Sequence, residues 1–324
     1  MHTVRVCRGD RVEHGVPLEH ISEVLAEPAS LVWLDLSDPD DAAIAVLQQE
    51  FGFHGLAIED AVRHHERPKI DVFADHLLVI FYAAAYRDAV GTAPQIVLSQ
   101  LSLFIGRNYL VSIHRDAQRY TEATARRWES GRIRAEHSIT GLLHDLLDAI
   151  VDDYFTVTDQ VVEWVEELEN TIFGRFRSGA IQEIFALKKD LLLLRRVVAP
   201  ERDVLNVLLR ERGPLLNDSA GLYLQDVYDH LVRVTDTIDT YRDLLSNALD
   251  SYLSLQANDL NQLIKTLTLS SVILMSCALI AGIYGMNFHF MPELGWFWGY
   301  PFALLLMACV SAILMIIFRR RHWW

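Results

Sequence analysis

The chain has 324 residues and carries 43 Asp and Glu against 29 Lys and Arg, which gives a formal net charge of −14 at neutral pH. An acidic balance of this size argues against a nucleic-acid partner and is compatible with cation binding. The three cysteines, Cys7, Cys277 and Cys309, are an odd and scattered set, so neither a disulfide framework nor a cysteine-based zinc site is predicted.

Residues 1–135 have the pattern of an N-terminal cytoplasmic domain that mixes strands with short helices. The N-terminal stretch lacks the apolar segment of a signal peptide, so no cleavage is expected. Gly106-Arg107-Asn108 is predicted to form a hairpin turn. One helix is expected to start at Ser37-Asp38-Pro39-Asp40, with Pro39 in its first turn, and another to span Leu56 to His64. The predicted strands, rich in β-branched and aromatic residues, are Leu31–Leu36, Leu77–Tyr82, Ile96–Phe104 and Tyr109–His114.

Residues 136–265 are predicted to form a helical cytoplasmic region. The segment 135–174 contains no Lys or Arg but many Asp and Glu, which indicates either a solvated acidic helix face or a surface that concentrates cations. A second helix is predicted over 180–211, ending near Gly213-Pro214. From Leu222 to Ala281 there is no Gly or Pro, so the sequence predicts one helix of about 90 Å at 1.5 Å per residue.

Two uncharged runs close the chain, from Thr266 to Phe288 and from Leu294 to Phe318. Each is long enough to cross the ~30 Å hydrocarbon core of a bilayer as a helix. A buried core helix is the alternative for one such run, but two in succession favour membrane spans. We therefore predict transmembrane helices over 266–288 and 294–318.

Basic residues set the expected orientation of these spans. Arg319, Arg320 and Arg321 open a basic tail, 319–324, and Lys265 precedes the first run. By the positive-inside rule these residues place the C-terminus in the cytoplasm, and two spans then place the N-terminus there too. The sequence thus predicts a multi-pass protein of the plasma (inner) membrane, in contact with lipid, with the connecting loop outside.

One face of the first span is predicted to be small or polar rather than aliphatic. Small residues permit close helix packing, whereas the alternative is a water-filled pore lined by one such helix from each of several copies. Because two spans cannot enclose a pore alone, the second interpretation requires a homo-oligomer. The stripe, stepping by three or four residues, is Asp250, Ser254, Ala257, Asn261, Ile264, Thr268, Ser271, Met275, Ala278 and Gly282.

The loop after this span reads Gly285-Met286-Asn287. Gly and Asn are ordinary turn residues, so a plain turn is one interpretation. The other is a ring of backbone carbonyls and neutral amides around a hydrated divalent cation. Mg²⁺ gives up water reluctantly and prefers six oxygens, and a ring of carboxylates could hold it too tightly for release.

Taken together, these features resemble the CorA family of magnesium transporters, which have two spans and a Gly-x-Asn loop. The resemblance rests on YGMNF (284–288), MPEL (291–294) and the basic end 319–324, with further similarity at 51–69, 146–154 and 225–230. It implies an α+β cytoplasmic domain whose long stalk helix continues into a two-helix transmembrane region. It also implies a funnel-shaped homo-oligomer, a pentamer.

The resemblance implies roles for residues of the membrane region. Gly285, Met286 and Asn287 would form the selectivity filter for hydrated Mg²⁺. Leu267 and Met275 would form a hydrophobic constriction that gates by dewetting. Ile264 and Ala278 differ from the residues that some relatives have at these positions, so the resemblance does not fix the radius of the gate. The residues of this chain that match pore-lining positions of the family are Asp250, Asn261, Leu267, Met275 and Gly282.

It also implies regulatory metal sites in the cytoplasmic part. Asp60 and Asp226 match a divalent-sensing site between neighbouring subunits, and Glu59, Asp148 and His230 match its companion site. When such a site is empty, the carboxylates of the two subunits repel one another. Bound Mg²⁺ would neutralise these charges and keep the pore closed. The adjacent His64 and His65 are interpreted instead as an exposed pair.

The implied function is entry of Mg²⁺, and of Co²⁺ and Ni²⁺, down the membrane potential. No organic cofactor or ATP site is expected, and the protein is predicted not to be an enzyme. One alternative is a zinc transporter of the same superfamily, although softer ligands would be expected in its pore. Another is a membrane-anchored scaffold or sensor, against which the polar stripe argues.

Overall fold

A computed structural model of the chain describes residues 2–9, 11–27, 29–63, 67–87, 95–115, 119–129, 138–174, 179–210, 220–286, 289 and 291–321. The chain divides into two compact units, Met1–Ser246 and Asn247–Trp324. The first unit contains a sheet and most of the helices, and the second contains the two apolar runs. Asn287, His64 and His65 lie outside the described residues.

The first unit is built on one seven-stranded sheet of order β2-β1-β3-β7-β6-β5-β4. Only β3 and β7 pair in parallel, and every other neighbouring pair is antiparallel. The four predicted strands are confirmed as β3, β5, β6 and β7, while β1, β2 and β4 were not predicted. The strands are β1 (His2–Arg8), β2 (Arg11–His14), β3 (Ser30–Ser37), β4 (Lys69–Val72), β5 (Leu77–Arg87), β6 (Gln95–Ile105) and β7 (Tyr109–His114).

Eight α-helices complete the described chain, and the α+β fold class is confirmed. The predicted helix over 180–211 is confirmed as α6, and the long helix predicted from Leu222 is confirmed as α7. The helices are α1 (Ile21–Leu25), α2 (Asp41–Gln49), α3 (Gly55–Val62), α4 (Arg119–Glu129), α5 (Ile139–Gly174), α6 (Ala180–Arg210), α7 (Ala220–Tyr284) and α8 (Gly299–Arg320). Short 3-10 helices cover Leu18–His20 and Pro292–Gly295.

Local side-chain chemistry explains where the small helices begin. The Asp40 carboxylate accepts a hydrogen bond from the Ala43 backbone N–H at 2.9 Å, so Asp40 is the N-cap of α2. Pro39 therefore precedes the helix, and the prediction that it lies in the first turn is wrong. At the hairpin between β6 and β7, a Cβ on Gly106 would lie 2.2 Å from the Tyr109 ring, which explains the glycine.

The core of the first unit lies on both faces of the sheet. Consecutive residues of β5 from Leu77 to Ala84 are all buried, as expected for a strand that is covered on both faces. The Trp33 indole N–H donates to the Ser112 hydroxyl at 3.0 Å and links β3 to β7. The Trp33 ring also meets that of Trp128 on α4 at a centroid distance of 5.8 Å.

The second unit comprises the C-terminal part of α7, the loop and α8. α8 begins at Gly299, so the prediction that the second span is helical from residue 294 is wrong at its start. Pro292, which has no backbone N–H, opens the 3-10 helix through Gly295, and the α-helix starts only after the aromatic residues that follow. Hydroxyl groups in α7 and α8 donate to carbonyl groups of their own helix. The Ser270 hydroxyl donates to the Thr266 carbonyl at 3.0 Å, and the Ser311 hydroxyl donates to the Met307 carbonyl at 2.8 Å.

Candidate functional site

Two helices among the described residues are long and apolar enough to cross a membrane. The most apolar windows of α7 and α8 have mean hydropathies of 2.0 and 2.7, and apart from Gly299 and Ala303 at the start of α8 their residues are exposed or half-buried within the chain. Helices this apolar and this exposed cannot remain in water, because each would leave a large hydrophobic surface uncovered. Their apolar surfaces are therefore available to lipid or to other copies.

The polar stripe of α7 lies on a face that the chain leaves uncovered. Every stripe position from Asp250 to Gly282 is exposed except Thr268, which is half-buried. The half-buried residues of this part of α7 fall mostly on the other side of the helix, at 100° per residue. They include Val272, Ile273, Ser276, Cys277 and Ile280.

The other side of α7 is the one that meets α8. The Cys277 sulfur lies 3.5 Å from the Ser311 hydroxyl of α8. The half-buried and buried residues of α8 also follow one face, at Ala303, Leu306, Met307, Val310, Ser311, Leu314 and Phe318. Packing between the two spans therefore does not use the stripe. The predicted constriction residues Leu267 and Met275 are 69% and 71% exposed.

The loop after α7 continues the helical hydrogen bonding by one residue. The Gly285 N–H donates to the Ala281 carbonyl at 2.9 Å, and the Met286 N–H donates to that of Ile283 at 3.3 Å. A Cβ on Gly285 would lie 3.1 Å from the Ala281 carbonyl oxygen, which is closer than the Cβ atoms of most residues come to a neighbouring atom. Gly285 thus allows a tight exit from the helix, and it places the exposed Met286 directly beyond.

Two pairs of residues, one on α5 and one on α7, bring metal-donating side chains together in the first unit. On α5, His144 and Asp148 lie one turn apart, and on α7 Asp226 and His230 do the same, so each pair shares a helix face. Donor atoms of His144, Asp148 and Asp226 all lie within 4.8 Å of one another. His230 places Nδ1 3.8 Å from Asp148 Oδ1 and Nε2 4.0 Å from Asp226 Oδ1. We call these four residues the α5–α7 cluster.

The electrostatics of the α5–α7 cluster suit a cation. Burial raises the pKa of the Asp148 carboxyl, and the negative charge of Asp152 raises it further, whereas His144 and His230 lower it. A bound cation would favour the ionised carboxylate and so oppose the effect of burial. The His230 Nδ1 is buried and has no hydrogen-bond partner among the described residues.

His144 is the functional candidate that the sequence interpretation missed. The sequence does show that His144 precedes Asp148 by four residues on a predicted helix. This spacing indicates a site only once α7 is known to face this turn of α5. The His144 ring also lies 5.2 Å from that of Tyr223, which helps to hold it on this side.

Glu59 and Asp60 of α3 do not join the α5–α7 cluster in the single chain. The Lys69 ammonium donates to Asp60 and to Asp71, each at 2.7 Å. Burial lowers the pKa of Lys69, but these hydrogen bonds outweigh it and the pKa is raised. Glu59 pairs with Arg63 one turn away at 2.6 Å. The predicted juxtaposition of Asp60 with Asp226 therefore remains an expectation about neighbouring subunits.

The fold and these sites define a class of protein: a large α+β domain whose long helix α7 ends in the first of two apolar C-terminal segments, the second being α8. Residues 28–320 match the family described as "CorA-like Mg2+ transporter protein", and the chain belongs to this family. Its members transport Mg²⁺ across membranes and are not enzymes, which confirms the resemblance and the prediction that the chain has no enzymatic role.

Individual relatives agree with this assignment. A "Cobalt/magnesium transport protein CorA" from Thermotoga maritima is 34% identical over 275 residues, covering 84% of this chain and 77% of the relative. The complete CorA magnesium transporter structure from Methanocaldococcus jannaschii is similar with a TM-score of 0.84 at 25% identity, over 100% of this chain and 99% of that one.

A solved domain with a different name shares part of the fold. The cytoplasmic domain of ZntB from Vibrio parahaemolyticus is similar with a TM-score of 0.65 at 11% identity, covering 79% of this chain and 98% of that one. At this identity the likeness concerns the fold alone.

Proposed function

We propose that the protein is a homo-oligomeric channel, a pentamer, that admits Mg²⁺ down the membrane potential and also passes Co²⁺ and Ni²⁺. One observation carries the proposal. The small and polar stripe of α7 lies on a face left uncovered by the chain, while α8 meets the other side. A helix that faced only lipid would have no use for Asn261, Thr268 and Ser271 in such a row.

In this proposal copies of α7 surround the pore and α8 faces lipid. Asn261, Thr268 and Ser271 give the wall neutral polar groups, and Leu267 with Met275 forms the constriction. Because no stripe residue from Ser254 to Gly282 is charged, a divalent ion is not held on its way. A potential of 100 mV is worth about 2.3 kcal/mol per charge, hence about 4.6 kcal/mol for a divalent ion, so entry needs no other energy source.

The filter and the orientation belong to the same proposal. Gly285, Met286 and Asn287 from each copy form a neutral ring at the outer mouth, which binds the hydrated ion through carbonyl and amide groups.

Arg319–Arg321 keep the C-terminal end in the cytoplasm, with the N-terminal domain on the same side of the inner membrane. The regions are 1–135, 136–265, spans 266–288 and 294–318, and tail 319–324, with the helix of the second span starting at Gly299.

Regulation by intracellular divalent ions is the second part of the proposal. The donor set of the α5–α7 cluster, two carboxylates and two imidazoles, fits a divalent cation. Asp60 of a neighbouring subunit, with Glu59, would complete the acidic environment around Asp226. Occupation then holds α5 and α7 together and favours the closed pore, whereas loss of the ion releases them.

The test is Mg²⁺ entry into dye-loaded liposomes that hold the full-length protein, with their interior free of Mg²⁺. Wild type is compared at equal incorporation with Asn287→Ala. Asn258→Ala serves as a matched control, since Asn258 is an exposed amide on α7 outside the stripe. We expect rapid entry in wild type and in the control, and its loss in Asn287→Ala.

Three results would contradict the proposal. Passage of Zn²⁺ without Mg²⁺ would favour the zinc transporter of the same superfamily. Absence of flux for every divalent ion would favour the scaffold or sensor. Equal flux in Asn287→Ala and wild type would remove the filter from the mechanism while leaving the pore.

A further inference from the structure

A fully buried carboxyl group, that of Glu201, joins three elements of the first unit. Glu201 lies on α6 directly after Pro200, and its side chain is completely enclosed. One of its oxygens accepts a hydrogen bond from the Tyr82 backbone N–H on β5 at 2.7 Å. The Tyr154 hydroxyl of α5 lies 3.1 and 2.9 Å from its two carboxyl oxygens.

The sheet explains why side chains are needed here. β4 pairs with β5 only from Leu77 to Ile80, and Tyr82 lies beyond that pairing. Buried backbone groups must find partners. Glu201 accepts from the Tyr82 N–H, and the Tyr154 hydroxyl meets the Tyr82 carbonyl oxygen at 2.7 Å. The two side chains thus serve the backbone of β5 where the strand pairing stops.

Counting protons decides the state of the carboxyl group. The Tyr154 hydroxyl has one proton to donate, yet it lies at hydrogen-bond distance from the Tyr82 carbonyl and from Glu201. If Glu201 were ionised, one of these contacts would join two acceptors without a proton. If Glu201 is a neutral acid, it donates to Tyr154, and Tyr154 donates to the Tyr82 carbonyl. The Tyr82 N–H then donates back to Glu201, which closes a ring in which every proton is used.

We propose that Glu201 is held as a neutral carboxylic acid and forms a proton-dependent clamp between α5, α6 and β5. Raising the pH until this proton is lost breaks the ring and leaves a buried charge. Attachment of α6 to the sheet is therefore weakened by alkaline conditions. This inference holds whichever ion the protein carries.

The surroundings of Glu201 agree with a neutral group. Burial raises the pKa of Glu201 well above the usual range, more than its contacts with the Tyr82 N–H and the Tyr154 hydroxyl lower it. No Lys, Arg or His among the described residues is an ion-pair partner of Glu201 or contributes to its pKa. The titratable and charged groups near the ring are Tyr82 on β5, Tyr154 on α5, Tyr120 on α4 and Arg196 on α6 itself.

The sign of the pH dependence follows from the raised pKa. The folded state keeps the proton at pH values where the unfolded chain has released it, so stability falls as pH rises from the unfolded to the folded pKa. The expected loss is about 3–5 °C in melting temperature per pH unit within that window. Glu201→Gln keeps the size and both hydrogen-bonding roles of the neutral acid but cannot ionise, so it should lack this component.

The experiment uses full-length protein in lipid nanodiscs. Infrared spectra at neutral pH are expected to contain the carbonyl stretch of a protonated carboxylic acid that is missing in Glu201→Gln and retained in Glu166→Gln, an exposed control on α5. Melting temperatures across pH 5–9 should decline more steeply in wild type and Glu166→Gln than in Glu201→Gln.

A second measurement keeps the test decisive if Glu201→Gln does not fold. In wild type labelled with ¹³C at the glutamate carboxyl groups, the band of a protonated glutamate should shift. Bands of protonated aspartates would stay in place, so the two are distinguished. Absence of any isotope-shifted acid band at neutral pH would overturn the proposal. So would equal pH dependence of melting in wild type and a folded Glu201→Gln.

Discussion

The Nδ1 atom of His230 lies 3.8 Å from Oδ1 of Asp148, so α7 and α5 present a nitrogen and an oxygen donor to the same space. The two residues are far apart in sequence, and each comes with a second donor one turn away on its own helix. A divalent ion bound here would link the long helix to the acidic helix. Ligand binding to the first unit should therefore change its stability.

Asp148→Asn tests whether this cluster binds the ion. The amide keeps the size of the side chain but removes its charge, so we expect a smaller rise in melting temperature on adding MgCl₂ or CoCl₂. An ion at 100 times its Kd stabilises a site by about 2.7 kcal/mol, and most of that increment should disappear. Asp159→Asn, at an exposed position of α5, is the control. Identical ion-induced shifts in Asp148→Asn and wild type would show that the ion binds elsewhere.

His144→Ala tests the ion preference of the same cluster. Imidazole is a good ligand for Ni²⁺ and Co²⁺ and contributes little to Mg²⁺ sites. We therefore expect weaker binding of Ni²⁺ and Co²⁺ with Mg²⁺ binding nearly unchanged, as measured by competition titrations. His20→Ala, at an exposed histidine, should alter neither. An equal loss for all three ions would mean that His144 acts through packing rather than as a ligand.

Leu267→Ser and Met275→Ser test the proposed constriction. A hydrophobic constriction closes by excluding water, so a hydroxyl at either position should keep it wet and raise Mg²⁺ flux when internal Mg²⁺ is high. Leu305→Ser, at an exposed position of α8, is the matched control. Flux in liposomes is the measurement, and unchanged flux in both stripe-side variants would place the gate elsewhere.

Asp40→Ala tests the cap of α2 and is independent of transport. Loss of the hydrogen bond to the Ala43 N–H should destabilise the protein by about 1 kcal/mol, or about 2–4 °C in melting temperature. Asp40→Asn can still cap the helix and should remain near wild type. If both variants melt at the same lowered temperature, the carboxylate charge rather than the cap would be responsible.

The sequence predicted the parts of this fold that depend on local pattern. The strands β3, β5, β6 and β7 are rich in apolar, β-branched and aromatic residues, and α7 has no Gly or Pro over most of its length. β2 and β4 were missed because each has only four residues and mixes charged with apolar side chains. Their strand geometry comes from pairing with β1 and β5, which no local pattern encodes.

The candidate functional residues divide in the same way. Gly285, Met286 and the stripe were predictable because they lie within one helix and its exit. His144 and Glu201 were not, because their importance depends on which helix faces them. A histidine on an acidic helix and a glutamate after a proline are unremarkable until α7 and β5 are seen beside them. Asp60 and Asp226 depend on a neighbouring subunit and stay predictions.

The ends of the sheet limit how copies of this protein can join. Both edge strands, β2 and β4, are four residues long and carry charged side chains such as Arg11, Glu13, Lys69 and Asp71. A neighbouring copy that added its own strand at either edge would gain only a few backbone hydrogen bonds and would have to strip water from these charges. Sheet extension is therefore a poor route to the proposed homo-oligomer, which would have to close through the helices, whose side chains can change without disturbing the sheet.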